Sequence, residues 1–239
     1  MDERADPAGP QLPLGISLAP GATFESYFAG PNTFAVGALE AAADGRGERQ
    51  LLLAGEAGLG KTHLLQAACH RAGARGARCA YLPLDGALGG HVEVLDGLEA
   101  LDLVALDGLE HVVGQADWEQ GLFGLINQAR EHGRCLLFAA NAAPAALGVG
   151  LADLASRLAW GPVLRLEALD ETQRRDALIA RAAVLGLELS AQVATYLLRH
   201  YPRDLASQLA QLDTLDRASL ARGRRLTVPF VKEVLGSGA

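Results

Sequence analysis

Gly55-Glu56-Ala57-Gly58-Leu59-Gly60-Lys61-Thr62 follows the apolar run Gln50 to Ala54 and precedes the helical stretch His63-Leu64-Leu65-Gln66-Ala67-Ala68. The pattern is G-x-x-x-x-G-K-[ST] in the strand–loop–helix setting that gives it meaning. Glycines allow consecutive backbone N–H groups to curl around phosphate oxygens, and the following helix adds the positive potential of its N-terminus. Lys61 is placed to reach the β- and γ-oxygens, and Thr62 to offer its hydroxyl to Mg²⁺. The chain has only two lysines, Lys61 and Lys232, and one occupies the single position where this chemistry needs a cation. The loop therefore predicts a nucleoside di- or triphosphate site.

Outward from the loop, short apolar runs alternate with helical stretches. Asn32 to Ala43 reads as a helix and Gln50 to Ala54 as the first strand. Cys79 to Leu84, Leu101 to Leu106, Arg134 to Ala140 and Val163 to Leu166 are four further candidate strands, and Trp118 to His132 is a helix stopped by Gly133. Strands separated by helices predict a five-stranded parallel sheet covered on both faces, a three-layer α/β core. Leu103-Val104-Ala105-Leu106-Asp107 ends in a carboxylate placed to hold Mg²⁺, as a Walker B strand does. The next position, where hydrolytic ATPases usually carry a second carboxylate, is Gly108, with Glu110 two residues further on. Weak or absent hydrolysis at this site is the expectation.

From Asp170 the pattern changes to helices alone. Asp170 caps a helix to Leu185 stopped by Gly186, Ser190 caps the next, and Arg203 to Ala221 and Val228 to Leu235 follow. The expected organisation is a mobile tail over 1–22, an α/β core over 23–167 and a small all-α lid over 168–239.

Composition narrows the function classes. With 239 residues, half of them apolar, the chain can bury a substantial core. Its formal charge of −7 argues against a strongly electropositive nucleic-acid scaffold. No stretch has the length and apolarity of a membrane span, and Met1-Asp2-Glu3-Arg4 lacks a signal peptide's regions. Three cysteines without a C-x-x-C spacing fit a reducing cytoplasm.

Several later segments together resemble the AAA+ ATPases, and among them the bacterial initiator DnaA and the Hda family of its regulatory homologues. Asn141 ends the fourth strand where that family has its sensor 1 residue. Leu154-Ala155-Ser156-Arg157-Leu158-Ala159-Trp160-Gly161 is similar to the box whose arginine finger would be Arg157, and Pro202-Arg203-Asp204-Leu205 to the sensor 2 motif. Thr23 to Asn32 resembles the segment that closes over the adenine, implying base contacts from Phe28 and Asn32. Gln11-Leu12-Pro13-Leu14-Gly15-Ile16 resembles the short peptide by which such proteins dock on the sliding clamp of DNA polymerase III, with Gln11, Leu12 and Leu14 as its anchors. DnaA itself would need a further C-terminal DNA-reading domain. The chain ends at Ala239, so the expectation is a homologue without one.

The resemblance implies a negative regulator of replication initiation. ADP (or ATP) with Mg²⁺ would be held by Gly55, Gly58, Leu59, Gly60, Lys61, Thr62, His63, Asp107, Asn141 and Arg203. Arg157 would act in trans on ATP bound to DnaA. DNA would be met only through the clamp, and self-association is possible in principle because Arg157 could serve another copy. A DnaA-like or helicase-loader-type ATPase working in its own oligomer stays open as the alternative. A DNA-binding accessory protein and a small-molecule P-loop kinase fit the charge and the lid less well.

Overall fold

The computed structural model describes residues 18–19, 21–86, 91–201 and 205–236. Five strands, β1 (Gln50–Ala54), β2 (Cys79–Pro83), β3 (Leu103–Asp107), β4 (Cys135–Ala140) and β5 (Val163–Arg165), form one sheet in the order β2-β3-β4-β1-β5. Every pairing is parallel. All five carboxyl ends thus open on one edge, and β1 leads away across two strands to reach β2. That crossover leaves a crevice beside the end of β1, where open parallel sheets bind ligands.

Alternation along the strands builds the two faces. Leu51, Leu53, Ala105, Leu137 and Ala139 pack towards α1 (Thr33–Ala43) and α2 (Lys61–Ala74). Leu52, Ala54, Val104, Leu106, Leu136, Phe138 and Ala140 pack towards α3 (Ala116–Glu131) and α4 (Ala152–Leu158). This is the expected three-layer core. The third strand starts at Leu103 rather than Leu101. Asp102 is spent on a turn, its carboxylate accepting from the Arg78 N–H at 2.9 Å and from Arg134 at 2.7 Å. Residues 18–19, read from sequence as tail, lie against α2, where the Ala19 N–H donates to Gln66 Oε1 at 3.0 Å.

Beyond β5, the described residues form four helices, α5 (Glu171–Val184), α6 (Ala191–His200), α7 (Leu205–Arg222) and α8 (Val228–Leu235). Asp170 caps α5 with a full capping box to Gln173, and Gly186 leaves it at φ +75°. Leu178, Ala182, Val193, Leu197, Leu212, Leu215 and Phe230 make a separate apolar cluster that holds these helices together.

Asp44, at the C-terminus of α1, is buried and accepts from Arg46 at 2.6 Å, Arg71 at 2.8 Å and Arg75 at 3.2 Å. These guanidiniums, Arg71 first, hold its carboxyl far below the usual range. A depressed native pKa stabilises the fold above the unfolded value near 4 and loses that contribution as pH falls further. Asp44→Asn should therefore lower the melting temperature at pH 7 and flatten its dependence on pH below 4. A parallel acid profile in the variant would show that Asp44 does not carry it.

Candidate functional site

At the carboxyl edge of the sheet the loop Gly55–Gly60 turns into α2. Gly58 and Gly60 take φ of +82° and +84°, which only glycine adopts without strain. Lys61 Nζ donates to the carbonyls of Gly55 at 2.6 Å and Glu56 at 2.8 Å, so its cation is held along the rim of the loop. Burial lowers the Lys61 pKa, opposed by the charges of Glu110 and Asp107. Thr62 Oγ1 donates to Asp107 Oδ2 at 2.6 Å, and the Tyr81 hydroxyl donates to the same oxygen at 2.8 Å. A strand-end carboxylate tied to the loop hydroxyl suits a Mg²⁺-bearing phosphate, with Thr62 as ligand and Asp107 beside it.

Gly108 leaves β3 at φ +85° and supplies no side chain. Glu110 is turned to the end of β4, where its Oε2 accepts from the Asn141 N–H at 3.1 Å. The structure thus gathers Lys61, Thr62, Asp107, Glu110 and Asn141 on one edge.

A strap from Thr23 to Asn32 crosses this loop. The Tyr27 hydroxyl donates to Leu59 O at 3.0 Å. His63 Nε2 lies 2.8 Å from Thr23 O and 3.2 Å from Ser26 Oγ, and burial holds its pKa below the ordinary value. Strap, loop and α5 enclose a cavity of about 420 Å³, within the range of ligand pockets. Phe28 lines it. Asn32 is buried and uses both ends of its amide on the Glu167 backbone, donating to O at 3.0 Å and accepting from N at 2.8 Å. Its recorded contacts pin the wall of the cavity.

From the lid, α5 contributes Arg174 and Arg181 to the same cavity, residues the sequence reading passed over. Seven apart, they share one helical face, a spacing that was legible but equally typical of a solvated surface. Tyr27 and Tyr81 were missed too. Arg203, Gln11, Leu12 and Leu14 lie outside the described residues. Cavity, cationic loop and paired Thr62–Asp107 fit a magnesium nucleotide, and Gly55 to His63 would hold it.

Arg157 sits elsewhere. Its backbone carbonyl accepts from Gln50 Nε2 at 2.7 Å, which places it at the start of β1, whereas the phosphate loop leaves the end of that strand. Four strand steps separate the two, about 13 Å. Its Nε donates to Asn127 Oδ1 at 3.0 Å, and its guanidinium carbon lies 3.8 Å from the centroid of Trp160. This arginine is on the edge opposite its own phosphate loop.

Among the described residues no helix is long and apolar enough to cross a membrane, and no cluster of three or more metal-type ligands occurs.

A parallel sheet with a phosphate loop and acidic strand end, roofed by a helical lid, is the architecture of the AAA+ ATPases. Within that class the chain belongs to the bacterial DnaA ATPase-domain family, whose model matches residues 18–165, and its lid is of the Hda type, matched over 170–235. Domain III of the Thermotoga maritima replication initiation protein DnaA is similar with a TM-score of 0.75 and 23% identity, over 93% of this chain and 99% of that one. A DnaA bound to AMPPCP and single-stranded DNA gives 0.69 and 25%, over 86% of this chain and 69% of the other. The Thermotoga maritima RuvB Holliday junction branch migration motor gives 0.60 and 18%, over 89% and 72%.

Proposed function

We propose that this protein is a clamp-tethered inactivator of DnaA, promoting hydrolysis of ATP held by DnaA and so restraining replication initiation in the cytoplasm. One observation carries the reading: Arg157 lies on the sheet edge away from its own phosphate loop, so the γ-phosphate it can serve belongs to an adjoining subunit. There its guanidinium stabilises the charge that develops during phosphoryl transfer. The Hda-type lid and the DnaA-type core support DnaA as that subunit.

The chain's own cavity holds ADP or ATP with Mg²⁺. A bound nucleotide would join loop, strap and lid by its phosphates and base. Lys61 would neutralise phosphate charge, Thr62 and Asp107 would hold the metal, and Asn141 with Arg203 would steady the bound nucleotide. Phe28 borders the base, whose wall Asn32 keeps in place. Gly108 supports slow turnover here, since it gives no carboxylate beside Asp107 to activate water.

The tail ahead of residue 18 tethers the α/β core, which runs to 167, and the lid (168–239) to the sliding clamp through Gln11, Leu12 and Leu14, and DNA is met by way of the clamp. Replacing Gln11 and Leu12 together with Ala should weaken clamp binding at least thirtyfold in a surface-immobilised assay without moving the melting temperature. Unchanged clamp affinity would remove the tether. The activity itself requires that single-turnover hydrolysis of ATP on DnaA accelerate when this protein is added. A rate independent of its concentration would overturn it.

A further inference from the structure

The arginine of the β1 edge has neighbours that form a surface of their own. The Trp160 indole is 42% exposed. Its ring carries two guanidiniums, Arg157 at 3.8 Å and Arg130, from the last turn of α3, at 4.0 Å from the centroid. A shared centroid keeps the two cations within about 8 Å of each other, a positive pair whose mutual repulsion a neighbouring anion would relieve. Beside the ring opens a cavity of about 380 Å³ whose charged lining is Arg49, Arg130 and Arg134, with Glu48 as the one carboxylate. Among the described residues Arg49, Arg130 and Arg157 enter no ion pair, although the chain carries a net charge of −7. An exposed tryptophan between arginines is the residue composition of an interface anchor.

We propose that Arg130, Trp160 and Arg157 form one docking unit for the acidic, triphosphate-bearing rim of a partner ATPase domain, in which the Trp160 indole positions the Arg157 guanidinium and Arg130, with Arg49, supplies a second cationic contact. The inference rests on Arg157 acting in trans and adds residues to that site. Trp160 is a positioning residue. Stacking on the indole, together with the Nε bond to Asn127, fixes the plane of the Arg157 guanidinium before the partner arrives, so less side-chain freedom is lost on docking. Arg130 works through charge, and its contribution is the salt-sensitive one.

The test uses the full chain with ATP-loaded DnaA, measuring complex affinity at two salt concentrations and the single-turnover hydrolysis rate at saturation. Trp160→Ala should slow the saturated rate at least thirtyfold while ADP affinity at its own site and melting temperature stay put. Trp160→Phe, which keeps a ring, should recover to within about fivefold of the parent. Arg130→Ala should weaken the complex about tenfold at low salt, flatten its salt dependence and leave the saturated rate within twofold. Wild-type rates in Trp160→Ala alongside a dead Arg157→Ala would overturn the docking unit and leave the trans arginine standing. A fully active Arg157→Ala would instead remove the reading on which the unit rests. Loss of self-association in Trp160→Ala, with the rate on DnaA untouched, would assign the face to a second copy and overturn the proposal.

Discussion

Arg157→Ala is expected to abolish stimulation of ATP hydrolysis on DnaA, by about 10³ to 10⁵ in rate, the range for a missing arginine finger. That corresponds to about 4–7 kcal/mol of barrier. The loss should fall on the chemical step. Arg157 is partly exposed, and its recorded partners are Asn127, the Trp160 and Phe123 rings and, through its backbone, Gln50. Trimming its side chain leaves no unpaired buried charge, so the fold should survive within about 1 kcal/mol, as surface changes usually do. ADP affinity should be unchanged, because the cavity lies at the opposite sheet edge, and clamp affinity should be unchanged, because its proposed anchors are Gln11, Leu12 and Leu14. The check is a single-turnover assay at saturating protein, with ADP titrated calorimetrically into the same preparation. Residual stimulation within tenfold of the parent would place the charge stabilisation on another group.

The second large effect concerns the protein's own nucleotide. Lys61→Ala should weaken ADP about a hundredfold, about 3 kcal/mol, the scale of lost hydrogen bonds to a charged group. The ammonium is half-buried, and its cost of burial is only partly offset by the charges of Glu110 and Asp107. Two loop carbonyls, Gly55 O and Glu56 O, also lose their donor, so the loop is less well fixed when phosphate arrives. Calorimetric titration with ADP in the presence and absence of Mg²⁺ decides the matter. An affinity within threefold of the parent would mean that backbone N–H groups alone hold the phosphates.

The parts of this protein that could be read from sequence are those where local pattern and final burial coincide. Gln50 to Ala54 and Val228 to Leu235 match β1 and α8 to the residue. The first is a continuous apolar run between a polar residue and a glycine, and the second is capped by Thr227 with Pro229 in its first turn. The phosphate loop was legible for a different reason: its chemistry fixes residue types at fixed spacing. Short or context-dependent features escaped. The seven-residue α4 that carries Arg157 is too brief to show a helical period. Arg174 and Arg181 were passed over, because nothing in their spacing distinguishes a cavity wall from a solvated face until the lid packs over the loop. Tyr81 sits on a strand next to the one bearing Asp107, and only the β2–β3 register brings its hydroxyl to that carboxylate. The stack of Arg130 and Arg157 on Trp160 joins α3 to the end of α4, a meeting that no sequence spacing announces.

The opposition of the two edges also separates the two ways this protein can act. A chain that used its own phosphate loop for hydrolysis would need a neighbour's arginine at that loop, whereas a chain acting through Arg157 needs only a partner loaded with ATP. The most direct measurement is hydrolysis of radiolabelled ATP pre-bound to DnaA, with this protein, the sliding clamp and DNA all present or omitted one at a time. Hydrolysis that requires the complete set, with no steady turnover by this protein alone, is the predicted result. Steady ATP turnover by this protein alone, with DnaA-bound ATP left intact in the full mixture, would contradict the account and assign Arg157 to this protein's own oligomer.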